Sequence, residues 1–291
     1  MNKTCLILGC GDVGSTLGIR LLAKGYRVIG ARRNVAALTG TGIEPLALDV
    51  NAEDAFEALP HADIVVYAIS ADRFEEEAYK VAYVDGLART LKVLEARDIP
   101  PAHVFFVSST SVYGQQDGEL VNEESETAPK GFSGQLMVEA EQQLLNSPLP
   151  GTLVRFSGIY GPGRDRLIRQ VRDGRIAAAN PVMHSNRIHR DDCAGVLVYL
   201  IERAMNGEPI ADRYLASDCE SAPIHDVMTW LAKQLKVESH ETIQSPLRRR
   251  ASKRCDNTRL VELGYRFEYP TFREGYRQVL KEAGIVTVEA K

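Results

Sequence analysis

Gly9-Cys10-Gly11-Asp12-Val13-Gly14 has the residue types and spacing to hold a pyrophosphate. In such a G-x-G-x-x-G turn the first glycine permits a tight bend, the second lets backbone approach the phosphates, and the third lets helix pack on strand. A helix starting here presents free N–H groups and the positive end of its dipole to an anion. The pattern alone is weak, but its setting is specific. The apolar stretch Thr4–Leu8 precedes it, and Val13, Leu17, Leu21 and Leu22 follow at helical spacing. The alternative is a glycine-rich turn with no ligand. A second chemical signal lies about 20 residues on, where Gly30-Ala31-Arg32-Arg33 ends the next apolar run without an acidic residue. A carboxylate there would bond ribose hydroxyls and repel a 2′-phosphate, whereas guanidinium pairs with phosphate. NADP is therefore expected over NAD, against the alternative of two solvated arginines.

Four further groups carry polar or charged side chains. Ser109 lies in Ser108-Ser109-Thr110-Ser111-Val112-Tyr113-Gly114, where a strand-end hydroxyl has backbone groups to satisfy. Tyr160 has Arg164 four residues later, but Pro162 and two glycines break any helix between them. His184 and His189 could titrate near neutrality. Arg248-Arg249-Arg250, with Lys253 and Arg254, puts five basic residues in seven, which could form a solvated basic loop.

The elements that must position these groups alternate in period. Buried strands are read at Thr4–Leu8, 26–31, 43–50, 64–69, 104–107 and 152–156. Helices are read after the glycine turn and at 52–59, 75–96 and 136–145. This order indicates an α/β chain, a Rossmann-type doubly wound parallel sheet. Beyond Tyr160 the rhythm breaks, with helices at 191–204, 224–235 and 272–282 and one more strand at Arg213–Ala216. The expected division is a cofactor domain of residues 1–160 plus 187–216, and a small C-terminal α/β substrate lobe of 161–186 plus 217–291.

Composition sets outer bounds. The chain has 291 residues, 44% hydrophobic and 25% charged, which fits a folded globular protein. Its 35 basic and 39 acidic residues give a net charge of −4, against a dedicated nucleic-acid binder. The longest apolar run, 193–201, is far below the roughly 18 residues of a membrane span. No signal segment is read at the N-terminus. Five cysteines without a C-x-x-C pair argue against a disulfide framework or metal site and for a reduced cytoplasmic protein.

Taken together, these motifs resemble the short-chain dehydrogenase/reductase superfamily, closest to its extended type of nucleotide-sugar epimerases and dehydratases. The resemblance rests on the glycine turn, Leu48-Asp49-Val50, the strand through Ile69, the Ser108–Gly114 stretch, the segment from Arg155 to Gly163, and Ile188-His189-Arg190-Asp191-Asp192. It implies that Asp49, beside Val50, contacts adenine, that Ala68 lines the cofactor cleft, and that Ser109 is the catalytic hydroxyl. It also implies a Tyr with a Lys four residues later, the ammonium lowering the phenol's pKa so that it works near neutrality. With Glu141 placed eight residues after the Tyr, that pair falls on Ser133 and Met137. None of the 11 tyrosines has a lysine four positions on. This matches an atypical subgroup that keeps the cofactor motif and loses the pair.

Two functions are expected. One is an NADP-dependent oxidoreductase or epimerase acting by a non-standard mechanism on a small polar substrate such as a nucleotide sugar, an anionic small molecule that the resemblance places near the arginines of 248–254. The other is a non-catalytic NADP(H) sensor or ligand-binding protein. Extended members often pair through the helices read at 75–96 and 136–145, so a homodimer is a further expectation.

Overall fold

Thr4–Leu8 (β1) is buried along its whole length. A strand covered on both faces belongs in the middle of a parallel sheet, which explains its unbroken apolar run. In the computed structural model, which describes residues 3–52, 54–57, 59–244 and 252–285, β1 is central. Its neighbours are Arg27–Arg32 (β2) and Ile64–Tyr67 (β4), both parallel to it. The full sheet holds seven parallel strands in the order β7-β6-β5-β4-β1-β2-β3. Here β3 is Glu44–Ala47, β5 is His103–Ser109, β6 is Gly151–Phe156 and β7 is Arg213–Ala216. The chain runs outward from β1 to β3, then returns to β4 and runs the other way. Such a switch point opens a crevice at the C-terminal ends of β1 and β4, the ligand position of doubly wound sheets. Pro45 cannot donate to a ladder, and among the described residues β3 is an edge strand, paired with β2.

Helix α1, Asp12–Ala23, ends where the sequence places its stop. Gly25 N–H donates to Leu22 O at 2.9 Å and Tyr26 N–H to Leu21 O at 3.1 Å, the two bonds of a Schellman closure. Two readings are corrected. The described part of 52–59 consists of turns. The helix expected over 75–96 is broken into Glu76–Tyr79, a π-turn at Lys80–Asp85, and Gly86–Glu95. The cause is a side chain from the sheet. Tyr67 donates its hydroxyl to Ala82 O at 2.5 Å, so Gly86 N–H turns to Val81 O instead.

By its contacts the chain divides into two compact units. The first comprises Met1–Val112, Thr127–Arg155 and Cys193–Tyr214; the second, Tyr113–Glu126, Phe156–Asp192 and Leu215–Lys291. Tyr113–Glu126 thus goes with the second unit, as do residues 187–192. The second unit has its own core, built on Tyr160, Val171, Val227, Leu231, Phe272 and Leu280. It also contains a pairing that periodicity did not reveal: Asp117–Val121 runs parallel to Ser252–Cys255. Its last described helix, Phe272–Glu282, begins with a capping box made by Thr271 and Glu274. Among the described residues no helix is long and apolar enough to cross a membrane.

Candidate functional site

The glycine turn sits at the crevice, and its three glycines have different surroundings. Gly9 has φ +89°, and a side chain there would lie 2.4 Å from the Ala68 carbonyl carbon. Gly9 and Ala68 are thus in backbone contact, and Ala68 N–H in turn donates to Leu8 O at 2.7 Å. A Cβ at Gly14 would lie 2.7 Å from Gly9 O. At Gly11 it would meet only Gly9 O, at 4.0 Å. Gly9 and Gly14 are therefore required by internal packing, whereas Gly11 faces open space. The N-cap of α1 is Gly11, which has no side chain to close the helix start. An open backbone face at an uncapped helix start is what a pyrophosphate needs, so the residues present fit a dinucleotide. Asp12 and Val13 open the helix beside it. Cys10 lies buried under the turn, and burial pushes its thiol pKa up, which keeps it protonated.

Both arginines at the end of β2 are engaged. Arg32 donates from Nη1 to Cys10 O at 3.1 Å, which ties it to the turn. Arg33 makes a bidentate pair with Asp72, both bonds 2.6 Å. Asp72 was not singled out in the sequence, because nothing in its neighbours marks it; only the order β4-β1-β2 brings it across to Arg33. Asp49 accepts from Asn51 through the backbone N–H and the side-chain amide, at 3.0 and 2.7 Å. Those bonds hold its carboxyl pKa below the ordinary value. Val50 offers its carbonyl to Arg89 at 2.6 Å.

At the end of β5, Ser109 Oγ accepts the Ser111 N–H at 3.1 Å. Its own proton is still available to donate. Its neighbour Ser108 instead donates to Glu141 at 2.6 Å. Glu141 also receives Arg155 at 2.8 and 2.6 Å, and all three residues are buried. The helix Phe132–Asn146, longer than the 136–145 read from periodicity, carries Ser133 half-buried and Met137 buried among its apolar residues. Met137 cannot lower the pKa of a neighbouring acid as an ammonium would.

The other candidates lie in the second unit. Tyr160 is 5% exposed and packs on Tyr276, ring centroids 4.6 Å apart. Burial, and then Asp218, push its hydroxyl pKa far above the tyrosine range; the cation acting on it is Arg187. His189 is enclosed: its Nδ1 accepts the Asp191 N–H at 3.2 Å and its other nitrogen bonds Gln278 at 3.2 Å. Burial lowers its pKa, so the ring stays neutral. His184 is shifted down too, by burial and then Arg254. Tyr113 is buried, its carbonyl accepting Lys253 Nζ at 3.0 Å. Arg254 Nε donates to Gly118 O at 2.9 Å. Arg254 therefore fastens the Asp117–Val121 strand, and Lys253 fastens Tyr113 ahead of it. Arg248, Arg249 and Arg250 lie outside the described residues. No cluster among the described residues could hold a metal ion.

Comparisons with known proteins agree with this geometry. Residues 9–204 match the family described as NAD(P)H-binding. A Methylobacillus flagellatus structure, described by class as an NAD-dependent epimerase/dehydratase, is 37% identical, with TM-score 0.81, over 98% of this chain and 100% of that one. The human epimerase family protein SDR39U1 with NADPH is 18% identical, covering 96% of this chain and 99% of the other, TM-score 0.78. The Bacillus cereus UDP-glucuronic acid 4-epimerase with NAD is also 18% identical, covering 96% and 97%, TM-score 0.76. None of the curated proteins compared matches the chain. A glycine turn open only at Gly11, set at the switch point of a seven-stranded parallel sheet, has its explanation in this kinship: the chain belongs to the NAD(P)H-binding family, among the epimerase/dehydratase-like proteins of the short-chain dehydrogenase/reductase type.

Proposed function

We propose that the chain is an NADP(H)-dependent oxidoreductase or epimerase-like protein acting on a small polar substrate without the usual Tyr–Lys pair. The observation that carries the cofactor part is the end of β2, which carries Arg32 and Arg33 and no Asp or Glu of its own. Gly11 would face the pyrophosphate, Arg33 the 2′-phosphate, and Asp49 with Val50 the adenine. The dinucleotide, when bound, supplies a hydride carrier. Ser109 is the group this chain offers to a substrate oxygen, since its Oγ is already used as an acceptor and still has its proton to donate.

A second reading, a non-catalytic NADP(H) sensor, is favoured by Met137, an apolar residue 3% exposed where the family's lysine would fall. One experiment separates them. NADPH and NADH are titrated by nicotinamide fluorescence, then carbonyl compounds and nucleotide sugars are screened for absorbance change at the nicotinamide band. The enzyme reading expects turnover that Ser109→Ala abolishes while leaving NADPH binding intact. Tight NADPH binding without turnover on a broad panel would sink it in favour of the sensor. Exchange of Arg32 and Arg33 for Ala should weaken NADPH about tenfold or more, as expected for lost charge-assisted hydrogen bonds, and NADH much less. Equal loss for both cofactors would remove the NADP assignment.

A further inference from the structure

Residues 70–75 follow β4 and lead into the Glu76–Tyr79 helical turn, and side chains of the first unit hold this segment at three points. At one point Arg33 grips both carboxylate oxygens of Asp72. One residue earlier, the Ala71 backbone shares a hydrogen bond with the Tyr83 hydroxyl. At the far point the Phe74 ring, 72% exposed, packs on Phe132 with centroids 4.9 Å apart and edge-on to Tyr79 at 5.6 Å. Phe132 begins the helix that carries Ser133 and Met137.

Because β1 lies between β2 and β4, an ion pair from the end of β2 to the segment after β4 spans the C-terminal end of β1. That is where the glycine turn sits. The segment is a strap, fastened by charge on the side of the β2 arginines and by aromatic packing on the side of Ser133. The charged fastening uses the same guanidinium that a 2′-phosphate would take.

We propose that Asp72 is a selectivity residue of the cofactor site: it occupies Arg33 until a 2′-phosphate displaces it, so that NADP(H) unfastens the strap and NAD(H) leaves it fastened. This rests on the NADP reading of Arg33 given above. The competition is weighted toward phosphate. Arg33 and Asp72 have side chains 55% and 52% exposed, and ion pairs so exposed change an equilibrium constant by no more than about fivefold. A phosphate carries about −1.5 to −2 charges and more acceptor oxygens than a carboxylate.

The test is a set of NADPH and NADH titrations on wild type, Asp72→Asn, Glu76→Gln, Arg33→Ala and the Arg33→Ala/Asp72→Asn double variant. Asp72→Asn should tighten NADPH about two- to fivefold and leave NADH nearly unchanged, which also shows that the variant is folded. Glu76→Gln removes the same charge from a neighbouring exposed residue and should leave the NADPH-to-NADH ratio as it was. On the Arg33→Ala background the effect of Asp72→Asn should vanish. If Arg33→Ala weakens NADPH but Asp72→Asn leaves the ratio unchanged, the selectivity role of Asp72 is wrong and the NADP reading survives. An Asp72→Asn effect that persists without Arg33 would also overturn it. If Arg33→Ala leaves NADPH binding intact, the NADP reading falls and this inference with it.

Discussion

Glu141 in the first unit and Asp218 in the second are both buried carboxylates beside a buried arginine, and the two regions treat them differently. Around Glu141 the pairing is closed: Arg155 meets it with two bonds, and Ser108 adds a third. Around Asp218 it is open. Arg187 is near enough to oppose the rise in its pKa, yet Asp218 Oδ2 and Arg187 Nη1 have no hydrogen-bond partner among the described residues. Ser157 Oγ and Tyr160 OH are in the same state. Arg187 is instead held by Ser185 and by the face of Phe272, 5.4 Å from its ring centre. The difference teaches that burial of a charge has two uses. The closed pair is a fixed brace at the sheet end of the first unit. The open one is a titratable group, its pKa pushed by burial up to about 8.

The comparison breaks most readily at Arg155. Arg155→Met leaves the Glu141 charge buried with only the Ser108 hydrogen bond and no cation, and should cost about 3–5 kcal/mol, read as a lowered urea midpoint. Replacing both partners with apolar residues of similar volume should cost clearly less. If the single change were nearly silent, the brace would not be closed in solution.

Next in size is Asp218→Asn. The folded-state pKa of about 8 stands above the ordinary value of 3.8, so the folded protein holds the extra proton between them. Its contribution is therefore fully present below about pH 4 and is lost as pH rises through about 8. The variant should flatten the fall in stability across this range and melt higher than wild type at pH 9. Parallel stability curves for the two proteins would mean that Asp218 is not the titrating group.

Tyr160→Phe should have the smallest effect. It removes a buried hydroxyl that makes no protein hydrogen bond among the described residues, so stability should change by less than about 1 kcal/mol, toward stabilisation. A larger loss would show that the hydroxyl is in fact paired, and the contrast with the first unit would narrow.

The predicted strands reappear in one sheet because most of them are buried on both faces and announce themselves as apolar runs, whereas the largely exposed Glu44–Ala47 lies at the edge. The glycine turn was legible for a related reason: its roles depend on backbone, which the residue type alone controls. Helix 75–96 was legible as a helix and not as an interrupted one, since the interruption comes from Tyr67, on a strand before it. The pairing of Asp117–Val121 with Ser252–Cys255 joins residues far apart in the chain and has no local signature. It turned two apparently free basic residues, Lys253 and Arg254, into fastenings.

By itself, then, the sequence determined the doubly wound class, the nicotinamide-cofactor turn and the absence of any Tyr with a Lys four residues on. These are matters of residue type at fixed spacing, and local periodicity or backbone freedom suffices to read them. Only the tertiary structure decided which charges meet. It gave Arg33 to Asp72, closed Arg155 on Glu141 and left Asp218 open beside Arg187. Charge acts through space, and distance in space is set by strand order rather than by position in the chain.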